Sequence, residues 1–534
     1  MRATATPARR SLPVLPGRAA PSEPAAPVGA DAPRIGIVTL GCDKNTVDTE
    51  RLMARLAGAG ARISDVADAD VIVVNTCGFI EAAKEESIET LLDAASLKAD
   101  GRVKAVVAMG CLVQRYKAEL TADLHEVDLF LSLTEAERLV PELRARGLLP
   151  PAVASTPLME RPLRLLSTAS RHTSHLKVSE GCDHTCAFCA IPLMRGKHRS
   201  TPIDVLVREA RELEAQGVVE LNLVSQDTTW YGRDLARGVA PAAGGFFVGA
   251  PFPGMAGIAD ADVQSLRSRT AQGSVRRNVG SGAAAGSEQR APARDGMLPD
   301  LLDALLGATS IPWLRLFYMY PSGITRSLVE RIAAEPRVVP YLDMPIQHGS
   351  DTMLVRMRRP ERRATIRERV AWLRGSVPDI ALRTTVIVGF PGETDDEFDE
   401  LIDLLEEMRF DHVGAFTYSL EENTRAVAMP DHVPPSLARE RLERLLDVQR
   451  TIRLALNEAR IGQEVVALVD ELVGRESGID TEAGRGAIAR TTGQAREVDN
   501  VVHIDDVGDA RPGDFVRVRI TGALDDDLLA DRVA

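Results

Sequence analysis

All six cysteines of this 534-residue chain lie in its first 189 residues, in two sets of three. One set is contiguous: Cys182-Asp-His-Thr-Cys186-Ala-Phe-Cys189. Three thiols at C-x3-C-x2-C spacing can converge on one metal centre from a single loop, which restricts what that segment can fold into. Iron–sulfur clusters are held by such thiolates, commonly four to a cluster. This loop supplies three, so one iron is left for a ligand that is not protein. The motif alone also admits structural zinc with His184 or His198 as fourth ligand, or unligated buried thiols. No second C-x2-C knuckle of a zinc ribbon is present.

The other set is dispersed but regular. Leu40-Gly-Cys42, Asn75-Thr-Cys77 and Met109-Gly-Cys111 each place a cysteine just past a short apolar run, 35 and then 34 residues apart. Those intervals match a βαβ repeat, and sites in parallel sheets form beyond the carboxyl ends of the strands. Three distant thiols therefore meet at one sheet edge, where Gly41, Gly78 and Gly110 allow close backbone approach. A single such cysteine reads equally well as a small buried hydrophobe; three in register point to a second cluster with an open corner.

The sequence predicts three folded units, an α/β multidomain chain. An N-terminal parallel α/β sheet spans 34–147, with strands at Ile35–Leu40, Val71–Asn75 and Ala105–Met109, helices between them and a tail over 1–33 expected to be disordered. After a Pro-rich linker, 148–167, a second alternating series occupies 168–456. Its strands are expected at Leu176–Ser179, Val219–Ser225, Trp313–Met319, Tyr341–Met344, Leu382–Val388 and Val413–Tyr418. Six βα units in succession predict an open (β/α)6 partial barrel rather than a complete eightfold one; a doubly wound sheet is the alternative. A stretch rich in Gly, Ala, Ser and Arg, 236–295, is too long for a compact connection and reads as a disordered insertion. From 457 to 534 four short strands joined by Gly and Asp turns predict a small all-β barrel related to oligonucleotide-binding folds, a module that resembles the TRAM type.

Charge narrows the function. The chain carries a net charge of −13, which argues against broad nucleic-acid binding. Residues 461–534 hold 16 Asp and Glu against 8 Arg and no Lys, an unsuitable surface for gripping phosphates. Six cysteines are too few for a disulfide scaffold, and free thiols fit a reducing, cytoplasmic setting. Arg9-Arg10 hints at a twin-arginine signal, but Pro13, Pro16 and Pro21 interrupt any apolar core after it. No apolar run approaches the roughly 18–20 residues of a spanning helix, so no membrane partner is expected.

The cysteine loop at the head of a βα barrel resembles the radical S-adenosylmethionine enzymes. With the dispersed triad and the terminal β module, residues 34–534 apart from the insertion resemble the methylthiotransferases. Gly41-Cys-Asp-Lys-Asn-Thr-Val-Asp48, Asn75-Thr-Cys-Gly-Phe-Ile80, Glu85-Glu-Ser-Ile88, Gly110-Cys-Leu-Val-Gln-Arg-Tyr116 and Gln226-Asp-Thr-Thr-Trp-Tyr-Gly232 are similar to the branch that modifies ribosomal protein S-twelve (RimO-type). The tRNA-modifying branch usually has Gln-Met-Asn after its first cysteine and an arginine soon after its second; neither is here. One departure is Ser200-Thr201-Pro202, where the family commonly reads Ser-Arg-Pro.

The resemblance implies two 4Fe–4S clusters and S-adenosyl-L-methionine as cofactors. Cys182, Cys186 and Cys189 would hold the cluster that binds S-adenosylmethionine, whose cleavage gives a 5′-deoxyadenosyl radical. Cys42, Cys77 and Cys111 would hold the auxiliary cluster that presents sulfur. The product would be an aspartate of S-twelve methylthiolated at its β-carbon, an unactivated position that side-chain acid–base chemistry does not reach. Phe188, Gln226 and Gln347 are candidate S-adenosylmethionine contacts, and Gly389-Phe-Pro-Gly-Glu393 either borders the adenine or forms a turn. Expected partners are S-twelve, free or on the ribosome, and an electron donor such as flavodoxin or ferredoxin, with no stable nucleic-acid partner. The rival readings are a tRNA adenosine methylthiotransferase and a non-catalytic zinc-containing RNA-binding protein.

Overall fold

The computed structural model describes residues 32–151, 163–166, 171–237, 298–377, 379–473 and 485–533. Most of the N-terminal tail, the insertion and the linker assigned from sequence lie outside these residues.

The first unit is a five-stranded parallel sheet formed by β1 (Arg34–Thr39), β2 (Arg62–Ile63), β3 (Val71–Thr76), β4 (Ala105–Gly110) and β5 (Leu129–Leu131), in the order β2-β1-β3-β4-β5. β3 and β4 are buried along their whole length, as expected where helices cover both faces of a parallel sheet. Register does the positioning. Thr39 pairs with Asn75, Asn75 with Met109 and Thr76 with Gly110, so three neighbouring strands end together and release Cys42, Cys77 and Cys111 at one edge.

The second unit contains β6 (Thr173–Lys177), a short hairpin of β7 (Ser179–Glu180) and β8 (Arg199–Ser200), then β9 (Glu220–Val224), β10 (Trp313–Leu316), β11 (Val338–Asp343), β12 (Ala381–Val388) and β13 (His412–Thr417). Six strands pair in parallel in the order β13-β12-β11-β10-β9-β6, and β13 does not close onto β6. Helices Ile203–Ala215, Leu298–Ala308, Arg326–Ala334, Arg363–Ser376, Asp395–Met408 and Pro435–Glu458 alternate with them. The third unit is a closed barrel of β14 (Glu464–Val473), β15 (Gly486–Arg490), β16 (Val502–Ile504), β17 (Phe515–Ala523) and β18 (Leu528–Arg532).

The closed barrel plugs the amino-terminal mouth of the six-stranded sheet. Leu468, Ala495 and Phe515 share an apolar cluster with Val224, Trp313, Val339, Tyr341 and Ala381. Around it, Glu220 at the start of β9 meets Arg490 at 2.7 Å and Arg315 at 2.8 Å, while Tyr341 donates to Asp499 at 2.8 Å. Part of the terminal module's acidity is thus turned inward. The opposite, carboxyl ends of the strands remain for the cysteines.

Four strands escaped the sequence pattern: β2, β5, β8 and β18 are too short or too mixed to show a period. β11 begins at Val338 rather than Tyr341 because Pro340, which cannot donate to a ladder, interrupts the run; its register against β10 shifts across that point. β6 begins at Thr173, earlier than its apolar residues imply, because Thr173 and Ser174 are buried by polar partners.

Candidate active site

The contiguous triad sits just beyond β7, on the loop that leaves the first strand of the open sheet. Gly181, at φ +73°, turns the chain at its start. Cys182 and Cys189 are shielded, and burial pushes the Cys182 thiol up to about 12 and raises that of Cys189, with Cys186 adding to both. Such thiols become thiolates when metal cations offset the lost hydration. Two groups back this loop. The Tyr320 hydroxyl lies 2.9 Å from Cys186 Sγ, and Arg359 Nη1 points at the same sulfur from 3.8 Å. Arg359 in turn stacks over the Tyr320 ring at 3.8 Å.

The dispersed triad is assembled by the first sheet. Cys42 caps helix Asp43–Gly58, Cys77 follows β3, and Cys111 opens helix Cys111–Asp123. Burial raises the Cys77 thiol and pushes that of Cys111 up to about 12; Cys42 raises both further, and Cys77 also acts on Cys111. The three thiols therefore share one electrostatic neighbourhood. Gly41, at φ +91°, is required here: a Cβ on it would stand 2.8 Å from Cys77 Sγ. Asn45 braces the set, donating to Leu40 O at 2.7 Å and Thr76 O at 3.3 Å.

Buried ion pairs lock the two units together. Arg195, six residues past Cys189, reaches Asp48 at 3.2 Å, Glu180 at 2.9 Å and Asn45 Oδ1 at 2.5 Å. Lys177 pairs with Asp48 and, at 2.8 Å, with Glu180. A second set joins Arg51 to Glu209 at 2.8 Å and Arg164 to Glu209 at 3.1 Å and to Glu50. Each set balances two cations against two carboxylates, the condition under which buried charge is tolerated. Each triad thus has a buried guanidinium beside it: Arg359 at the loop, and Arg195, whose positive charge is favoured against burial by the thiolate charge of Cys111 and Cys42 together with Glu180 and Asp48.

The end of β10 spans the gap between the triads. Tyr318 donates to Asp43 Oδ2 at 3.1 Å, next to Cys42, and two residues later Tyr320 meets Cys186. Tyr318 holds φ +56° and Gln347, beyond β11, φ +72°. Such backbone is costly for residues other than glycine and is concentrated at functional sites.

The two histidines that could complete a zinc site with the loop thiols are engaged by other side chains. His184 Nε2 is taken by Asp227 at 2.7 Å and its ring stacks on Tyr320 at 3.8 Å, while His198 Nε2 meets Ser200 Oγ at 3.1 Å. Among the described residues no three His, Cys, Asp or Glu side chains are spaced to share one ion. Of the other residues singled out from sequence, Gln226 donates to Glu180 Oε1 at 3.1 Å while its own Oε1 is buried without a partner. Phe188 packs edge-on to Phe390 at 6.5 Å. Gln347 bridges to β12 through its backbone. The segment Gly389–Glu393 is a turn pinned by Glu393, whose carboxylate accepts from Gly389 N at 2.9 Å. Thr201, at the family departure, is buried and its carbonyl accepts from Tyr231 at 2.6 Å. Tyr320, Arg359 and Glu180 were not foreseen; only the hydroxyl-bearing pair Tyr318 and Tyr320 just past a strand offered a signal.

An open parallel sheet with a C-x3-C-x2-C loop after its first strand defines a radical S-adenosylmethionine enzyme. Family models agree along the chain: "Uncharacterized protein family UPF0004" matches residues 34–132, the "Radical SAM superfamily" 292–405 and the "TRAM domain" 461–533. A "Ribosomal protein uS12 methylthiotransferase RimO" from Desulforudis audaxviator is 40% identical, covering 94% of this chain and 98% of its own. One of the same name from Anaeromyxobacter sp. (strain K) is 42% identical over 94% of each. Among solved structures, the radical S-adenosylmethionine methyltransferase TsrM from Kitasatospora setae aligns at TM-score 0.45 and 12% identity, covering 79% of this chain and 89% of its own. The chain belongs to the RimO family of ribosomal protein uS12 methylthiotransferases. Among the described residues no helix is long and apolar enough to cross a membrane.

Proposed function

We propose that this chain transfers a methylthio group to the β-carbon of an aspartate in ribosomal protein uS12, with two 4Fe–4S clusters and S-adenosyl-L-methionine as cofactors. The observation that carries this reading is the facing of two cysteine triads across the end of β10, with Tyr318 on one side and Tyr320 on the other. When bound, the cofactors supply the hydrogen abstraction and the sulfur. The protein supplies placement and shelter. Cys182, Cys186 and Cys189 hold one cluster and Cys42, Cys77 and Cys111 the other. Burial keeps the Tyr320 phenol protonated, so it donates to the Cys186 thiolate, and Arg359 adds positive charge there. The unpartnered Gln226 Oε1 suits an ammonium donor such as the amino group of S-adenosylmethionine, with Phe188 and Gln347 as further contacts.

The division into units at 34–147, 168–456 and 457–534 belongs to the same proposal, as do a flavodoxin or ferredoxin as electron donor and a cytoplasmic setting. The test is mass spectrometry of uS12 and of tRNA after anaerobic incubation with the reconstituted enzyme, S-adenosylmethionine and reductant. A methylthio gain on one aspartate of uS12 is expected, with iron and sulfide in the protein. A gain on tRNA alone would overturn the reading.

A further inference from the structure

The buried cations around this site are paired, with one exception. Lys177, Arg195, Arg51 and Arg164 each meet carboxylates. Lys44 is only 7% exposed, yet among the described residues its Nζ makes no hydrogen bond and no ion pair. It stands 3.2 Å above the centre of the Tyr318 ring instead. The carboxylates around it are engaged elsewhere: Asp43 accepts from the Tyr318 hydroxyl, and Asp343 from Arg383 at 3.0 Å and from Tyr318 N at 3.2 Å. An ammonium lying on an aromatic face gains from the ring on one side only. Its remaining donors are unspent.

The location gives them a use. Lys44 is two residues past Cys42, in the wall of the auxiliary triad, and its ring partner belongs to the segment whose Tyr320 touches Cys186. A group held by Lys44 would lie at the gap the two triads share. We infer that Lys44 recognises the side-chain carboxylate of the target aspartate and so sets its β-carbon between the clusters, an assignment that rests on the proposed function. A charge-assisted hydrogen bond to a carboxylate provides both the attraction and the selection against a neutral amide.

The test measures binding of two proteins to the full-length, cluster-loaded enzyme without S-adenosylmethionine, so that no turnover occurs: uS12, and uS12 with its target aspartate changed to asparagine. Wild type should prefer the aspartate form by about 10- to 100-fold, the range of a hydrogen bond to a charged group. Lys44→Met should erase that preference while binding the asparagine form as wild type does, with unchanged iron content; Lys44→Arg should keep most of it. In turnover, Lys44→Met should raise KM for uS12 more than it lowers kcat. Retained preference in Lys44→Met, or equal weakening of both forms, would overturn the assignment. Should Lys44→Met fold poorly, loss of the preference in a well-folded Lys44→Arg would overturn it equally. Wild-type enzyme that binds uS12 but never modifies it would instead remove the functional reading.

Discussion

The two triads present the same number of thiols by opposite routes. Cys182, Cys186 and Cys189 occupy one loop, so local backbone geometry suffices to bring them near one another. Cys42, Cys77 and Cys111 meet only because β1, β3 and β4 are adjacent and end in register. The first set is thus a property of a segment and the second of a sheet. Their mutual placement depends on a third element, the buried ion pairs that dock one unit on the other. Loss of a thiol should act locally in either set, whereas loss of docking should separate two intact sites.

The largest expected effect distinguishes the roles of the triads. Cys182→Ala should lose both 5′-deoxyadenosine formation and uS12 modification, while Cys77→Ala should lose only the second, with bound iron falling by half in each. Both losses should exceed about 100-fold, since even groups that merely support a metal ligand are worth 10- to 100-fold in activity or affinity. Chromatography of the nucleoside product beside mass spectrometry of uS12 would show it. If Cys77→Ala also stopped 5′-deoxyadenosine formation, the two sets would not be separable.

Docking comes next. Glu209→Gln leaves Arg51 and Arg164 with one buried carboxylate, Glu50, between them. Breaking a buried pair costs about 3–5 kcal/mol, read as an earlier first transition in urea. Iron content should hold under native conditions, and methylthiolation should fall more than 5′-deoxyadenosine formation. Equal falls in both would mean that the interface does not govern the approach of the triads.

The smallest effect is a pH dependence. Burial alone would raise the Glu180 carboxyl, but Arg195 and Lys177 overcome it and hold the group at about 2, below its ordinary 4.5. A depressed carboxyl contributes stability that is complete above about pH 4.5 and disappears as pH falls towards 2. Wild type should therefore lose more stability than Glu180→Gln between those limits, measured by thermal unfolding of the full chain. Parallel curves would show that the pairing contributes nothing to docking.

How far the sequence carried the fold depended on the length and polarity of each element. β3, β4 and β12 were legible because continuous or alternating apolar residues outweighed everything beside them. β2, β5 and β18 were not, since two to five residues carry no period and their pairing comes from neighbouring strands. Pro340 hid the start of β11, and Thr173 hid that of β6 because its partners, Glu220 and Arg490, are distant in sequence. The site followed the same division. Thiol spacing and the strand-end positions singled out all six cysteines as candidates, whereas Arg359 and Glu180 carried no local mark.

Read alone, the sequence determined the chemistry on offer: thiols in two threes, the order of strands and helices, and an acidic terminal module. Only the tertiary structure decided which groups stand behind those thiols, that Tyr318 and Tyr320 bridge them, and that Lys44 lies on the Tyr318 ring. The reason is physical. Periodicity and spacing encode contacts within a few residues, while buried charges are matched across elements more than a hundred positions apart, as Arg195 is to Asp48.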